Sequence, residues 1–257
     1  MEINLQALTT PLFALWLPFV RILSFLHFCP VLSQKAFNVK AKVGCALALA
    51  ILITPMLQQN IVLTDLLSMH QVLLISEQIL WGWLFGSILS LIFIALQTAG
   101  QILSMNMGLG MAAMNDPGSD VSTTVISQII FVFSVLIFFT IDGHLLFITI
   151  LYKGFTYWPI GDAINAFSLR SLALSLSWIF SSATLLALPT TFIMLLVQGV
   201  FGLLNRVSPT LNLYSLGFPI SMLFGLFCLV LIITNIPDHY LHFSNEILTQ
   251  LDKMKDY

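Results

Sequence analysis

The side chains in this sequence that could do chemistry are few and far apart. His239 and His242, beside Asp238, fall on one face of a helix and could offer two ligands to a metal; a polar helix start after Pro237 accounts for them equally. Gly108-Leu-Gly110-Met-Ala-Ala113 has the form G-x-G-x-x-A of a dinucleotide-binding turn. It follows a long apolar helix where that turn needs a strand, and no acid stands about 20 residues on. Cys29, Cys45 and Cys228 lie inside apolar stretches with no C-x-x-C or Cys/His ligand spacing, so they read as small packed side chains. No HExxH, GxSxG or P-loop occurs, and no apolar run holds the paired acids or Ser/Lys pair that intramembrane hydrolysis needs. The expectation is no enzyme, no cofactor and no metal.

Two further features invite a function. Glu77 stands at the start of an apolar helix, where it could serve a proton path, complement the helix dipole or pair with a cation; helical angles place it opposite the small polar residues, which favours the ion-pair or boundary role. Asp142-Gly143-His144 ends another apolar run, where an acid opposes the dipole and calls for a cationic partner. The stretch Met105 to Thr124 is different in kind. Met105, Met107, Met111 and Met114 alternate with Gly108 and Gly110, and Asn115-Asp116-Pro117-Gly118-Ser119-Asp120 then forces a turn. Unbranched, polarizable thioethers re-pack easily and glycines free the backbone, which suits a deformable seal. An interhelical connection whose methionines fill a core has the same composition.

The elements that must carry these residues are membrane helices. The chain has 257 residues, 58% hydrophobic and 8% charged, with a mean hydropathy of +0.99. A soluble domain carries about a quarter charged residues, so lipid or apolar partners must cover most of this surface. A net charge of −2 supplies no basic face for nucleic acid. Uncharged runs lie between Lys42 and Asp65, Glu77 and Asp116, Asp120 and Asp142, Arg170 and Arg206, and Arg206 and Asp238, each able to supply the ~20 residues of a span. A first run from Leu12 to Leu32 is interrupted by Arg21 and His27. The expectation is an all-α integral membrane protein of about six long hydrophobic helices packed as hairpins, a single domain over 1–257 with a polar C-terminal tail over 238–257. The third segment is too long for one bilayer crossing. Residue 2 is Glu and no A-x-A site follows the first apolar run, which predicts no cleaved signal peptide. Six spans would set Lys35, Lys40, Lys42 and Arg206 against Lys153, Arg170, Lys253 and Lys255. That tie gives the positive-inside rule no orientation to choose and points to placement by partners.

Two segments carry a small and polar face. Gly82, Gly86, Ser90, Gln97, Gln101 and Ser104 form one stripe; Ser177, Ser181, Thr184, Thr191, Gln198, Gly202 and Asn205 form another, with Pro189 as a kink. Small residues admit close helix approach and amides bond across helices, although lining an aqueous path would select a similar stripe.

The run from Ala99 to Pro117 resembles the "AGxxxxxxMGLxxAxxxDP" segment of the FliR family of flagellar export-gate proteins. Phe139 to His144, Trp158-Pro-Ile-Gly161, Ala187-Leu-Pro189, Gly202-Leu-Leu-Asn-Arg206-Val-Ser-Pro209 and Leu216-Gly-Phe-Pro219 resemble further motifs of that family in the same order, from about residue 12 to 240. After the Asp-Pro pair the family often has Ala-Ser, where this chain has Gly118-Ser119-Asp120. The resemblance implies a non-catalytic subunit of the type III export gate. It implies one copy of this chain with several of FliP and FliQ in a helical assembly raised out of the bilayer plane, with FlhB and FlhA as neighbours, at the inner membrane in the flagellar basal body. It also implies that Met105, Met107, Gly108, Gly110, Met111, Met114, Asp116 and Pro117 belong to a plug in the conduit for unfolded flagellar proteins. Gly82, Gly86, Gln97, Gln101, Pro189, Gln198, Gly202, Arg206 and Pro209 are the expected subunit-packing residues, with Arg206 a buried structural cation. The injectisome family SctT shares the Arg206 to Pro209 block; the Met-Gly-Leu and Asp-Pro segment favours the flagellar branch. A small-molecule secondary transporter broken at Pro189 would need inverted symmetry and a charged midplane site, and neither is found. A scaffold that never touches cargo is the remaining alternative.

Overall fold

The computed structural model describes residues 5–32, 38–57, 69–110, 124–161, 166–207 and 213–255. Its elements are α1 (Leu5–Phe28), α2 (Val39–Ile53), a 3-10 turn (Thr54–Met56), α3 (Met69–Asn106), α4 (Val125–Thr140), α5 (Gly143–Tyr157), α6 (Ala166–Val207) and α7 (Leu213–Lys255). The all-α expectation holds among these residues. The count of about six long spans is not confirmed among them. Among the described residues three helices are long and apolar enough to cross a membrane, over Gln71–Asn106, Ser177–Val207 and Gly217–Asp252, and α4 with α5 would add a fourth only as one broken span.

Local chemistry sets where two of the shorter helices stop. Asn38 caps α2, its Oδ1 accepting from the Lys40 amide at 3.1 Å. The helix then stops at Ile53, because Pro55 can only continue as the tight turn that follows. The apolar run that starts near residue 121 is broken at Asp142, which takes a left-handed φ of +54° that acids tolerate better than most residues. Gly143 follows where a Cβ would strike the ring and carbonyl of Phe138. The overlong third segment is real: the 38 residues of α3 cover roughly 57 Å, against about 30 Å of hydrocarbon.

The chain forms two compact units. The first comprises Met1–Ser90, His144–Ala173 and Ile247–Tyr257. There α2 packs on α1, and an aromatic cluster joins α3 to the end of α5: Trp81 stacks on Phe85 at 5.6 Å between centroids, and Trp158 lies 5.1 Å from Trp81 and 5.5 Å from Phe85. Gly82 and Gly86 let α1 lie against α3. A Cβ on Gly82 would meet the Arg21 carbonyl and the Ser24 Cβ, and one on Gly86 would come within 2.8 Å of the Phe25 carbonyl.

The second unit comprises Leu91–Gly143 and Leu174–Glu246. Phe93 is its aromatic centre, with Phe131, Phe138 and Tyr240 at 6.1, 5.9 and 6.2 Å. Burial divides the long helices sharply: 67% of the apolar window of α3 is covered within the chain, but only 22% of those of α6 and α7. Leu185, Phe192, Leu196, Leu203, Leu223 and Val230 all lie open. Single exposed apolar residues are ordinary, but continuous bare faces need lipid or another protein. The polar segment from Asp238 continues α7 as helix, with Tyr240, Phe243, Ile247 and Leu251 buried at helical spacing.

Candidate functional site

The start of the methionine-glycine segment is built from the end of α3. Every helix leaves its last carbonyls without intrahelical partners. Here Gly108, with φ +80°, turns the chain left-handed, the Leu109 amide donates to the Ser104 carbonyl and the Gly108 amide to that of Met105, each at 3.0 Å. This is a Schellman cap, and its left-handed position is why glycine stands at 108. The Leu103 carbonyl accepts from Met107 at 3.0 Å. One carbonyl is left, that of Asn106, and α6 supplies its donor: Gln198 Nε2 reaches it at 2.8 Å. The Asn106 side chain returns the contact, Nδ2 donating to Thr191 Oγ1 at 3.0 Å.

The far end of the segment is fixed by α3 as well. Thr124, the N-cap of α4, accepts from the Ser127 amide, and both its amide and its hydroxyl donate to Gln101 Oε1, at 3.3 and 3.1 Å. Ser127 Oγ donates to the Gln97 carbonyl at 2.9 Å. Gly100 allows this proximity, since a Cβ there would stand 2.7 Å from Ile130 Cδ1 and 3.1 Å from Ser127 Cα. Both ends of the 105–124 stretch are therefore tied to the last turns of one helix.

Its methionines separate into two roles. Met105 is 60% exposed, while Met107 is buried and fills the space that a side chain at Gly225 of α7 would occupy. Gly110 lies beside Met105, a Cβ there standing 3.3 Å from Met105 Cγ. Met111, Met114, Asp116 and Pro117 lie outside the described residues, as does Pro209.

The residues expected to pack against other subunits divide likewise. Gly82, Gly86, Gln97, Gln101 and Gln198 make the contacts within the chain given above. Pro189 and Arg206 are exposed on α6, and Gly202 has nothing within 4 Å of where a Cβ would be.

Sequence reasoning passes over the cation that is buried here. Arg21 of α1 is 2% exposed. Its Nε donates to Gln78 Oε1 at 2.7 Å, its Nη1 to the Gly154 and Trp158 carbonyls at 3.1 and 2.8 Å, and its Cζ lies 4.6 Å above the Phe155 ring. Those carbonyls belong to the end of α5, where a cation also complements the helix dipole. Glu77 lies within electrostatic reach of it. The available signal is a single arginine in an apolar run, which normally faces protein and not lipid.

At the two histidines, His242 Nδ1 lies 3.7 Å from Glu246 Oε2, one turn on. Among the described residues no three His, Cys, Asp or Glu side chains gather as a metal site would require.

The family model described as bacterial export proteins, family 1, matches residues 12–247. The flagellar biosynthetic protein FliR of Pectobacterium carotovorum subsp. carotovorum is 33% identical over 235 residues, covering 91% of this chain and 89% of that protein. FliR of Escherichia coli K12 is 32% identical with the same coverage. Yop proteins translocation protein T of Yersinia pestis is 28% identical over 85% of this chain and 87% of its own length.

Proposed function

The chain belongs to the bacterial export proteins, family 1, and on that premise we propose that it is a non-enzymatic subunit of the flagellar type III export gate. With FliP and FliQ it forms the inner-membrane conduit for unfolded flagellar proteins, FlhB and FlhA lying beside it. The segment 105–124 closes that conduit between substrates. The observation that carries this reading is the likeness to FliR along nine-tenths of the chain. Two features of the molecule support it. The faces of α6 and α7 are bare over most of their length, as expected of a subunit whose neighbours and lipid cover them. The described ends of the methionine-glycine segment are both held by one helix, an arrangement that fixes the two anchor points of a seal.

Co-expression tests this reading. Tagged chain expressed with FliP and FliQ should purify as one defined complex holding a single copy. Expressed alone it should aggregate or be degraded. A monodisperse folded monomer obtained without partners would contradict it. The likeness to the Yersinia translocation protein supports an injectisome gate as a second reading; restored motility in a strain lacking FliR separates the two.

A further inference from the structure

We propose that Arg21, Gln78 and Trp81 form a binding site for one water molecule in the core of the first unit, where the water joins α1 and α3 to the residue that follows α5.

A guanidinium carries its N–H groups in a fixed, planar fork. Arg21 Nε donates to Gln78 Oε1 at 2.7 Å, and Nη1 donates to the Gly154 and Trp158 carbonyls at 3.1 and 2.8 Å. Nη2 is buried and has no acceptor among the described residues. Gln78 Nε2 and Trp81 Nε1 are in the same condition. The three side chains are 2%, 0% and 1% exposed, so bulk solvent cannot serve them. Buried polar atoms in native proteins are paired, by protein or by ordered water. A single unpaired donor is tolerable; three on side chains in direct or adjacent contact call for an acceptor.

The donors belong to one place. In the fork one Nη2–H lies parallel to Nε–H, so Nη2 faces the side on which Arg21 holds Gln78. Because Arg21 Nε can only donate, the atom it meets on Gln78 is the oxygen, and Nε2 is the other arm of the same amide. Trp81 follows Gln78 by three residues and shares its face of α3. Its ring lies 5.1 Å from that of Trp158, whose carbonyl Arg21 also holds. Acceptors stand beside these donors. Gln78 Oε1 and the Trp158 carbonyl each take one hydrogen bond from Arg21, and such an oxygen has two lone pairs. The ligand must be small, because its partners are enclosed. It must also be neutral: Glu77 already lies within electrostatic reach of Arg21, and a further anion would be a buried charge without compensation. Water meets both conditions. It accepts from Nη2 on α1 and from a donor on α3, and donates to the Trp158 carbonyl or Gln78 Oε1, within the 2–4 partners of an internal water. One oxygen atom thereby bridges three elements and adds to the shell of the buried cation.

The test uses the full chain, purified from membranes with the subunits that accompany it. A density map fine enough to show ordered water should hold one feature about 2.7–3.2 Å from Arg21 Nη2 and from at least one of Gln78 Nε2 and Trp81 Nε1. A map with no separate feature there overturns the proposal. Protein prepared in bromide should give the same density; a feature that grows heavier is an anion and overturns it as well. Radiolytic hydroxyl labelling gives a second reading, since the radicals form from water in place. Trp81 should be labelled in the intact protein although it is buried, while Phe93, also 1% exposed, stays unlabelled. Gln78→Leu removes both the Nε2 donor and the Oε1 acceptor and should abolish the label at Trp81. An unlabelled Trp81 in the wild-type protein, or one labelled equally in Gln78→Leu, overturns the site. The map and the wild-type label stand whether or not that variant accumulates.

Discussion

Arg21 Nη1 donates to the carbonyl oxygen of Trp158 across 2.8 Å, joining the middle of α1 to the residue that follows α5. With Gly154 and Gln78 also bonded, protein oxygens replace the lost hydration of Nε and Nη1, while Nη2 is buried without a hydrogen-bond partner among the described residues. Arg21→Leu should therefore cost about 3–5 kcal/mol, leaving the α5 carbonyls and Glu77 without their cation. Arg21→Lys should recover part of this, because an ammonium lacks the planar fork. Arg206→Ala should leave the stability of the chain unchanged, since Arg206 is exposed here, and act only on assembly. Membrane levels of the three variants, chased after synthesis is blocked, check this; equal decay of Arg21→Leu and Arg206→Ala would contradict it.

Glycines on α3 and α6 should respond in opposite directions to the same change. Alanine is the better helix former by about 1 kcal/mol, so Gly202→Ala, with open space around it, should stabilise the chain slightly or do nothing. Gly82→Ala meets α1 backbone and should destabilise by about 1–3 kcal/mol despite the gain in propensity. Gly202→Leu should spare the chain and impair complex formation with FliP and FliQ, if α6 packs there against a neighbour. Thermal midpoints of purified gates and complex yields are the measurements. A stabilised Gly82→Ala would show that α1 does not lie where described.

The end of α7 offers a third contrast. Asp252 accepts from Lys153 at 2.6 and 2.9 Å and from the Tyr157 hydroxyl at 2.9 Å, while Ile247 and Leu251 are buried. The ion pair is partly exposed, so Asp252→Asn should cost no more than about 1 kcal/mol. A stop codon at 246 removes two buried apolar side chains, worth about 1.5–3 kcal/mol each, and should abolish accumulation. Lys253→Ala should be silent. Immunoblots of membranes decide it, and a stable truncated chain would show that the polar tail is dispensable.

What is legible in the sequence follows from the range of its signals. That the third segment is an overlong helix with a glycine stripe can be read because charge gaps and a 3.6-residue period are local, although α3 begins at Met69, ahead of the Glu77 that opens the gap, and ends at Asn106. That Gly82 and Gly86 receive α1 cannot, since a period gives the face and not the neighbour. The same limit hides the bonds that join the end of α3 to α6: Thr191 and Gln198 stand out on a polar stripe, but their partner, Asn106, looks like one more residue of the methionine run. Charge gaps give the length of an apolar run and not of the helix inside it: the described helix of the Lys42–Asp65 gap stops before Pro55, and that of the Asp120–Asp142 gap starts only after its cap at Thr124. Arg21 looks like an interruption of a span because its acceptors are mostly backbone carbonyls, which have no residue signature.

The most direct test of the conduit is a photo-crosslinker at Met105, the described methionine that is exposed at the root of the seal. In gates stalled with a substrate carrying a folded plug, the crosslinker should capture the unfolded part of that substrate. Without substrate it should capture only gate proteins. Capture of lipid or gate proteins alone in the stalled state would contradict the placement of this segment in the conduit.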